Sequence, residues 1–485
     1  MPGFLFLLRT MNRTAPIIPI REESLPLADQ SNASLLRELL VLSLPVFAEH
    51  ALHILVGMND TYLANHIHLY HTATDATRAD ETAAGAAVGT MAYILWFVGL
   101  MVSAVGTGST AIIARAIGAK HRRLANSICG QSISCAIIVG CVVGACMFFF
   151  AGPIADITGL EPSARGYALS YLKILAIALP FSTVMFIANS CLRGAGDTLT
   201  PAITMIVVDI INMAFSWGMT FGWLGLPKLG FDGIAWGTSI AYVAGGVIQF
   251  YVLLSGRGGI RLFLHRMQPH WHNLKRLLRI GLPGGAADML HFLANFGIVI
   301  LVNQLGDASG NAHAIAIRVE ALSYMMGFAV ATAVATMVGQ SLGMKKPQRA
   351  QRCAYLAYAV GGGFMTFAGI GLILFGKYAA MLFSDDPAVR ALTTQCLFIT
   401  GFIQCGFAAA LIFGGALRGA GDTMMVMFLS AFSVFIFRLG GAIIVVRYFH
   451  FGLEGVWLVL CGELMIRGSL IFGRLVQGGW KKIAV

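Results

Sequence analysis

The sequence predicts an all-α polytopic membrane protein, with twelve transmembrane helices in two six-helix lobes related by pseudo-twofold symmetry along the membrane normal. Three observations carry this prediction: the composition, a series of apolar runs of helical length, and an internal duplication. Of the 485 residues, 57% are hydrophobic and 11% are charged, and the mean hydropathy is +0.77. Soluble domains carry roughly 25% charged residues. A chain this apolar needs lipid as the solvent for much of its surface.

The apolar runs fall at about 36–64, 84–106, 125–150, 166–192, 200–224 and 233–255, then at 281–305, 312–342, 353–375, 391–417, 424–447 and 455–476. Their lengths suit transmembrane helices, which need about 20 mostly apolar residues, and Gly, Pro and charge clusters punctuate them. They divide the chain into a cytosolic arm (1–34), an N-terminal lobe (35–256), a cytosolic basic linker (257–280), a C-terminal lobe (281–476) and a cytosolic tail (477–485). An even number of spans puts both termini on one side. The N-terminal arm, the even-numbered loops and the tail hold 23 of the 33 Lys and Arg residues, whereas the odd-numbered loops hold Arg78, Arg165, Lys228, Lys377, Arg390 and Arg447. The positive-inside rule then places both termini in the cytoplasm, and the net charge of +11 reports membrane orientation before nucleic-acid binding. The expected location is an inner or plasma membrane.

The duplication is literal in one place. "RGAGDT" occurs at 193–198 and again at 418–423, an offset of 225 residues. "ARAIGAK" (114–120) and "GQSLGMK" (339–345) align at the same offset, "LGFDG" (229–233) and "FGLEG" (451–455) at 222, and "LSLPVFAEHAL" (42–52) and "IGLPGGAADML" (280–290) at 238. The larger last offset is explained by an acidic insert at 68–82 in the loop between spans 1 and 2. Two halves with an even number of spans share one orientation, so their axis runs along the membrane normal.

"GAGD" also fits the GxGD signature of intramembrane aspartyl proteases. A protease needs one aspartate pair at membrane depth, whereas these aspartates recur at two cytoplasmic helix junctions. The structural reading is the better fit: Gly194 and Gly196 end span 4, where Gly relieves left-handed C-cap strain. Asp197 or Thr198 caps span 5, with Pro201 in its first turn, and Arg193 reaches the phosphate surface. Arg418, Gly419, Gly421 and Asp422 are expected to repeat this arrangement. HExxH, GxSxG and Walker A patterns are absent, and nine scattered cysteines form no CxxC, so neither a catalytic constellation nor a metal site is expected. Without a nucleotide-binding domain, an ion gradient is the energy source left.

Ten ionisable residues remain in the spans: Glu49, Asp60, Asp209, Asp288, Glu320, Glu463, Lys173, Arg318, Arg438 and Arg467. Each costs at least about 2.5–3.5 kcal/mol near the bilayer centre and should face protein or water. Lys173 and Arg467 lie near enough to span ends to snorkel. Asp209, Asn212 and Ser216 fall at i, i+3 and i+7 on one face of span 5. With Asp60 of span 1 they make either a cation or proton site or a structural hydrogen-bond cluster. Asp288 and His291 are i, i+3 in span 7, where the His is either a proton carrier or a packing residue. Arg438 is placed to attract Asp288 or Glu320, and Arg318 and Glu320 point to different faces of span 8.

From about 36 to 476 the chain resembles the multidrug and toxic compound extrusion (MATE) family. The segments that carry the resemblance are "LPVFAEHALHILVGMNDTYLA", "IARAIGAK", "AHAIAIRVEALSYMMGFAVATAVATMVGQSLG" and both copies of "LRGAGDT". The resemblance implies two V-arranged lobes with rocker-type alternating access. It also implies export of organic, often cationic, compounds against inflow of Na⁺ or H⁺. It assigns the positions of Asp60 and Asn212 to the cation site. Some branches carry a coupling Glu where this chain has His291, and another has an acid where this chain has Ser216. The expected function is therefore a secondary active antiporter of small organic, cationic or amphipathic compounds, acting as a monomer in the lipid bilayer. It needs no cofactor beyond Na⁺ or H⁺ and no nucleic acid. The alternatives are a lipid-linked precursor flippase of the same superfold, disfavoured by six acids against four bases in the spans, and the GxGD-type protease.

Overall fold

The structure is a computed structural model that describes residues 31–66, 78–158, 160–268 and 270–483. Nearly all of the arm 1–34 and most of the insert 68–82 lie outside the described residues. Among the described residues twelve helices are long and apolar enough to cross a membrane. The first six are α1 (Asn32–Ala64), α2 (Arg78–Gly118), α3 (Arg122–Phe149), α4 (Pro162–Ala195), α5 (Leu199–Phe221) and α6 (Phe231–Ser255). The second six are α7 (Trp271–Asn303), α8 (Asp307–Gly343), α9 (Pro347–Phe383), α10 (Pro387–Gly419), α11 (Thr423–Arg447) and α12 (Leu453–Gln477). A short helix, Ala151–Ile157, follows α3. The chain is an all-α membrane protein, as its composition predicts.

Several helices outrun their apolar cores. α2 continues through Arg115 to Gly118, and α7 begins at Trp271, inside the stretch read as linker. The sequence there, "HNLKRLLRI", is rich in good helix formers, and helical propensity does not stop where hydrophobicity does. Pro162, Pro347 and Pro387 open α4, α9 and α10 in their first turns, where the missing N–H costs no bond.

The packing repeats with the sequence. In the first half α4 packs against α2, α3 and α6, while α5 pairs with α6 and α1; in the second, α10 packs against α8, α9 and α12, while α11 pairs with α7 and α12. Between the halves, α2 meets α7 and α1 meets α8, which are equivalent contacts, and α2 meets its own counterpart α8. A Cβ on Gly118 would overlap the carbonyl oxygen of Gln340, and one on Gly343 would overlap that of Arg115. Both pairs, 118/343 and 115/340, are 225 residues apart. Each half thus makes on the other the contact it receives, which is the signature of a twofold relation. It also shows that the halves are closed upon each other at this end of α2 and α8.

At "RGAGDT" the expectation holds in part. Gly196 (φ 97°) and Gly421 (φ 85°) take the left-handed conformation that follows a helix. Gly194 and Gly419 have another use: their missing Cβ lets α4 touch the backbone of Thr110 and α10 that of Ala335. Asp197 caps α5, its Oδ1 accepting from the Thr200 N–H at 3.0 Å and its Oδ2 from the Thr200 hydroxyl at 2.6 Å. Asp422 does not repeat the cap. It makes no capping bond and accepts from Arg474 Nε on α12 at 2.8 Å. Nor does Arg193 reach towards a phosphate surface: it is turned inward onto Glu49 of α1, with Nη1 2.9 and 3.0 Å from the two carboxylate oxygens.

Candidate functional site

Two buried polar clusters occupy the two halves. The N-terminal one is built on α1, α4, α5 and α6. A Cβ on Gly237 of α6 would overlap Ser216 of α5, so the two helices can approach closely enough for side chains one turn away to bond. Asn212 Nδ2 donates to Thr238 Oγ1 at 2.9 Å and to Ser216 Oγ at 3.3 Å. Asn212 Oδ1 accepts from Asn59 Nδ2 at 3.0 Å, and Asn59 Oδ1 accepts from Trp217 Nε1 at 2.9 Å. Asp60, 2% exposed, lies beside this chain. Its Oδ2 accepts from Tyr171 of α4 at 2.9 Å and from Thr238 at 2.7 Å, while its Oδ1 is buried with no hydrogen-bond partner among the described residues.

The structure therefore brings Asp60, Asn212 and Ser216 together, as the helical spacing suggests, but not Asp209. That carboxylate is buried one turn from Asn212 with neither oxygen hydrogen-bonded among the described residues, and it supplies no oxygen to Asp60. The partners that sequence reasoning missed are Tyr171 and Thr238. A single hydroxyl in an apolar helix carries no spacing signal, and both are recruited by tertiary packing alone.

The C-terminal cluster is a ladder. Asp288, His291 and Asn295 lie on one face of α7 at i, i+3 and i+7. Each meets one arginine: Asp288 Oδ1 is 3.9 Å from Arg418 Nη2 of α10, His291 Nδ1 is 3.2 Å from Arg467 Nη1 of α12, and Asn295 Oδ1 accepts from Arg438 Nη1 of α11 at 2.7 Å. Glu463 closes the buried end. It accepts from Arg438 Nε at 2.9 Å and from Ser433 at 2.8 Å, with Arg467 Nε 3.3 Å away. Ser433 and Arg438 are five residues apart, and both reach Glu463 because α11 turns as a π-helix over Ser433–Gly440. Asp288 also accepts from Ser103 of α2 at 3.0 Å, so the open end of the ladder lies at the seam between the halves.

These contacts correct two expectations. Arg438 pairs with Glu463 and Asn295, not with Asp288 or Glu320. Arg467 does not snorkel but is buried against Glu463 and His291, whereas Lys173 is exposed. Glu320 stands outside the ladder, accepting from Thr400 at 2.7 Å and Gln404 at 3.4 Å, and Arg318 on the same helix is exposed. Asn295 was legible in principle, since 288, 291 and 295 repeat the spacing of 209, 212 and 216. Among the described residues no group of three or more His, Cys, Asp or Glu side chains is placed to hold a metal ion.

A two-part helical membrane protein with acids buried in both halves and arginines buried in one has the make-up of a transporter. The MatE family model matches residues 80–217 and 283–444. The chain is 30% identical over 457 residues to the probable multidrug resistance protein NorM of Thermotoga maritima, covering 93% of this chain and 94% of that protein. It is 24% identical over 400 residues to the multidrug resistance protein PmpM of Pseudomonas aeruginosa, covering 82% and 81%. Two solved structures share the fold. One is a MATE in the bent conformation (TM-score 0.83, 20% identity, 93% and 98% covered), the other the Vibrio cholerae MATE transporter VcmN in its bent form (0.82, 19%, 93% and 98%). The chain belongs to the MatE family. It is an integral membrane transporter of the multidrug efflux kind, not an enzyme.

Proposed function

We propose that the chain is a secondary active antiporter that exports small organic compounds, cationic or amphipathic, in exchange for Na⁺ or H⁺, both termini lying in the cytoplasm. The observation that carries the reading is the Asp60 carboxyl. One of its oxygens is satisfied by Tyr171 and Thr238, and the other is buried without a hydrogen-bond partner among the described residues. A bare carboxylate at membrane depth costs several kcal/mol, roughly 2.5–3.5 at least, so this oxygen needs a proton or a cation. The Asn59 and Asn212 side chains, bonded to each other, lie beside it, Asn212 through their shared partner Thr238. Asp209, unpartnered one turn away, is a second acid available on the same helix face. A group that takes up an ion when its half opens to one side, and gives it up when it opens to the other, couples the two fluxes.

The names of the NorM and PmpM relatives support a drug-like cargo. The reciprocal Gly118 and Gly343 contact supports alternating access, because a contact closed at one end by backbone apposition must separate for cargo to pass there. The lysine and arginine distribution supports the orientation. The test uses purified protein in proteoliposomes with an imposed Na⁺ or H⁺ gradient and a cationic dye. One gradient should drive accumulation, which collapses when that gradient is dissipated. Transport that ignores both gradients overturns the antiport reading.

A further inference from the structure

We propose that the mouth of the C-terminal arginine ladder is a binding site for an anionic group of the cargo, so that the transporter selects zwitterionic amphipaths over purely cationic ones. The proposal deepens the export reading and rests on it only for the direction of transport.

Three guanidiniums, Arg418, Arg438 and Arg467, face two carboxylates, Glu463 and Asp288, across the ladder. Glu463 is fully committed at the buried end to Arg438, Ser433 and Arg467. Asp288 gives one oxygen to Ser103 and stands 3.9 Å from Arg418, beyond hydrogen-bond length. Arg418 therefore holds its planar fork of donors without a hydrogen-bonded acceptor among the described residues, and its Nε is buried and unpartnered. Arg467 Nε, on a residue 8% exposed, likewise lacks a hydrogen bond of good geometry. All three guanidiniums are within electrostatic reach of His291, which lies between them on α7.

The repeat shows what Arg418 lacks. Its counterpart Arg193 is satisfied by Glu49 in both carboxylate oxygens. At the 238-residue offset Glu49 corresponds to Ala287, so the acid that would satisfy Arg418 is missing and Asp288, one position on, only approaches it. A guanidinium is planar and matches a carboxylate or phosphate through two parallel bonds. The side chains of Arg418 and Asp288 are 35% and 29% exposed, so an outside acceptor can reach this end, while Arg438 and Glu463 are sealed.

The probe pair is tetramethylrhodamine, which carries a cationic xanthene and a free carboxylate, and its methyl ester, which keeps the cation and loses the anion. Binding to the full-length protein in detergent is read by fluorescence anisotropy, which needs no ion gradient and so cannot fail with the antiport reading. The free acid should bind more tightly than the ester, by about tenfold for one charge-assisted contact. Arg418→Gln should remove that preference while leaving ester affinity within about twofold, and Arg418→Lys should restore part of it. Equal or tighter binding of the ester by the parental protein overturns the proposal without recourse to any variant. So does a preference that survives in folded Arg418→Gln.

Discussion

Asp197 and Asp422 occupy the same place in two copies of one six-residue sequence, as do Arg193 and Arg418, and all four side chains are used differently. Asp197 bonds back to its own helix, and Asp422 bonds across to Arg474. The offset that aligns α6 with α12 puts Val252 where Arg474 stands, so no arginine stands at the equivalent place, and Asp197 caps its own helix. Arg193 is held by Glu49, whereas Arg418 faces the position of Ala287 and stays under-bonded. A local sequence sets the turn and the close helix approach, and these are the features the two copies share. Its charged side chains take whatever the neighbouring helices offer, and there the halves have diverged.

The largest effect expected from this comparison lies in the arginine pairs. Glu49→Ala leaves Arg193, 16% exposed, without its acid and should destabilise the protein by about 3 kcal/mol. Asp288→Ala removes a 3.9 Å contact of partly exposed groups and one bond from Ser103, and should cost about 1 kcal/mol. Thermal unfolding of the two variants in one detergent checks the order, and equal losses would break the asymmetry. Next come the seam glycines. Gly118→Ala and Gly343→Ala each drive a methyl into the opposite backbone, so both should destabilise the closed seam by about 1–3 kcal/mol. The sharper expectation is that the two effects match, since the contacts are reciprocal; a tolerated change at one and a severe change at the other would contradict the twofold relation. Last is the contrast between the aspartates. Asp422→Asn loses a charged bond to Arg474 and should cost about 1.5–3 kcal/mol, while Asp197→Asn keeps a good cap and should cost only a few tenths.

The fold was legible because lipid imposes long apolar runs and because the duplication is written in the sequence. Helix ends were less so, since α2 and α7 carry their helices into polar sequence that a hydrophobicity window discards. Of the N-terminal cluster, Asp60, Asn212 and Ser216 were readable from depth and spacing. Tyr171 and Thr238 were not, because their role depends on which helix packs beside α1. Arg467 was misread for the same reason: closeness to a span end suggests snorkelling, and only the fold reveals Glu463 one turn away on α12 and His291 across on α7.

In the proposed cycle Asp60 ties cargo movement to ion movement, and the most direct test separates uphill from downhill transport. Asp60→Asn keeps the shape and a hydrogen-bonding head group but cannot cycle a charge. In proteoliposomes, the variant should still equilibrate dye down its concentration gradient, yet fail to accumulate it when the driving ion gradient is imposed. Accumulation by Asp60→Asn at near the parental rate would make Asp60 a structural residue and move the coupling to another carboxyl.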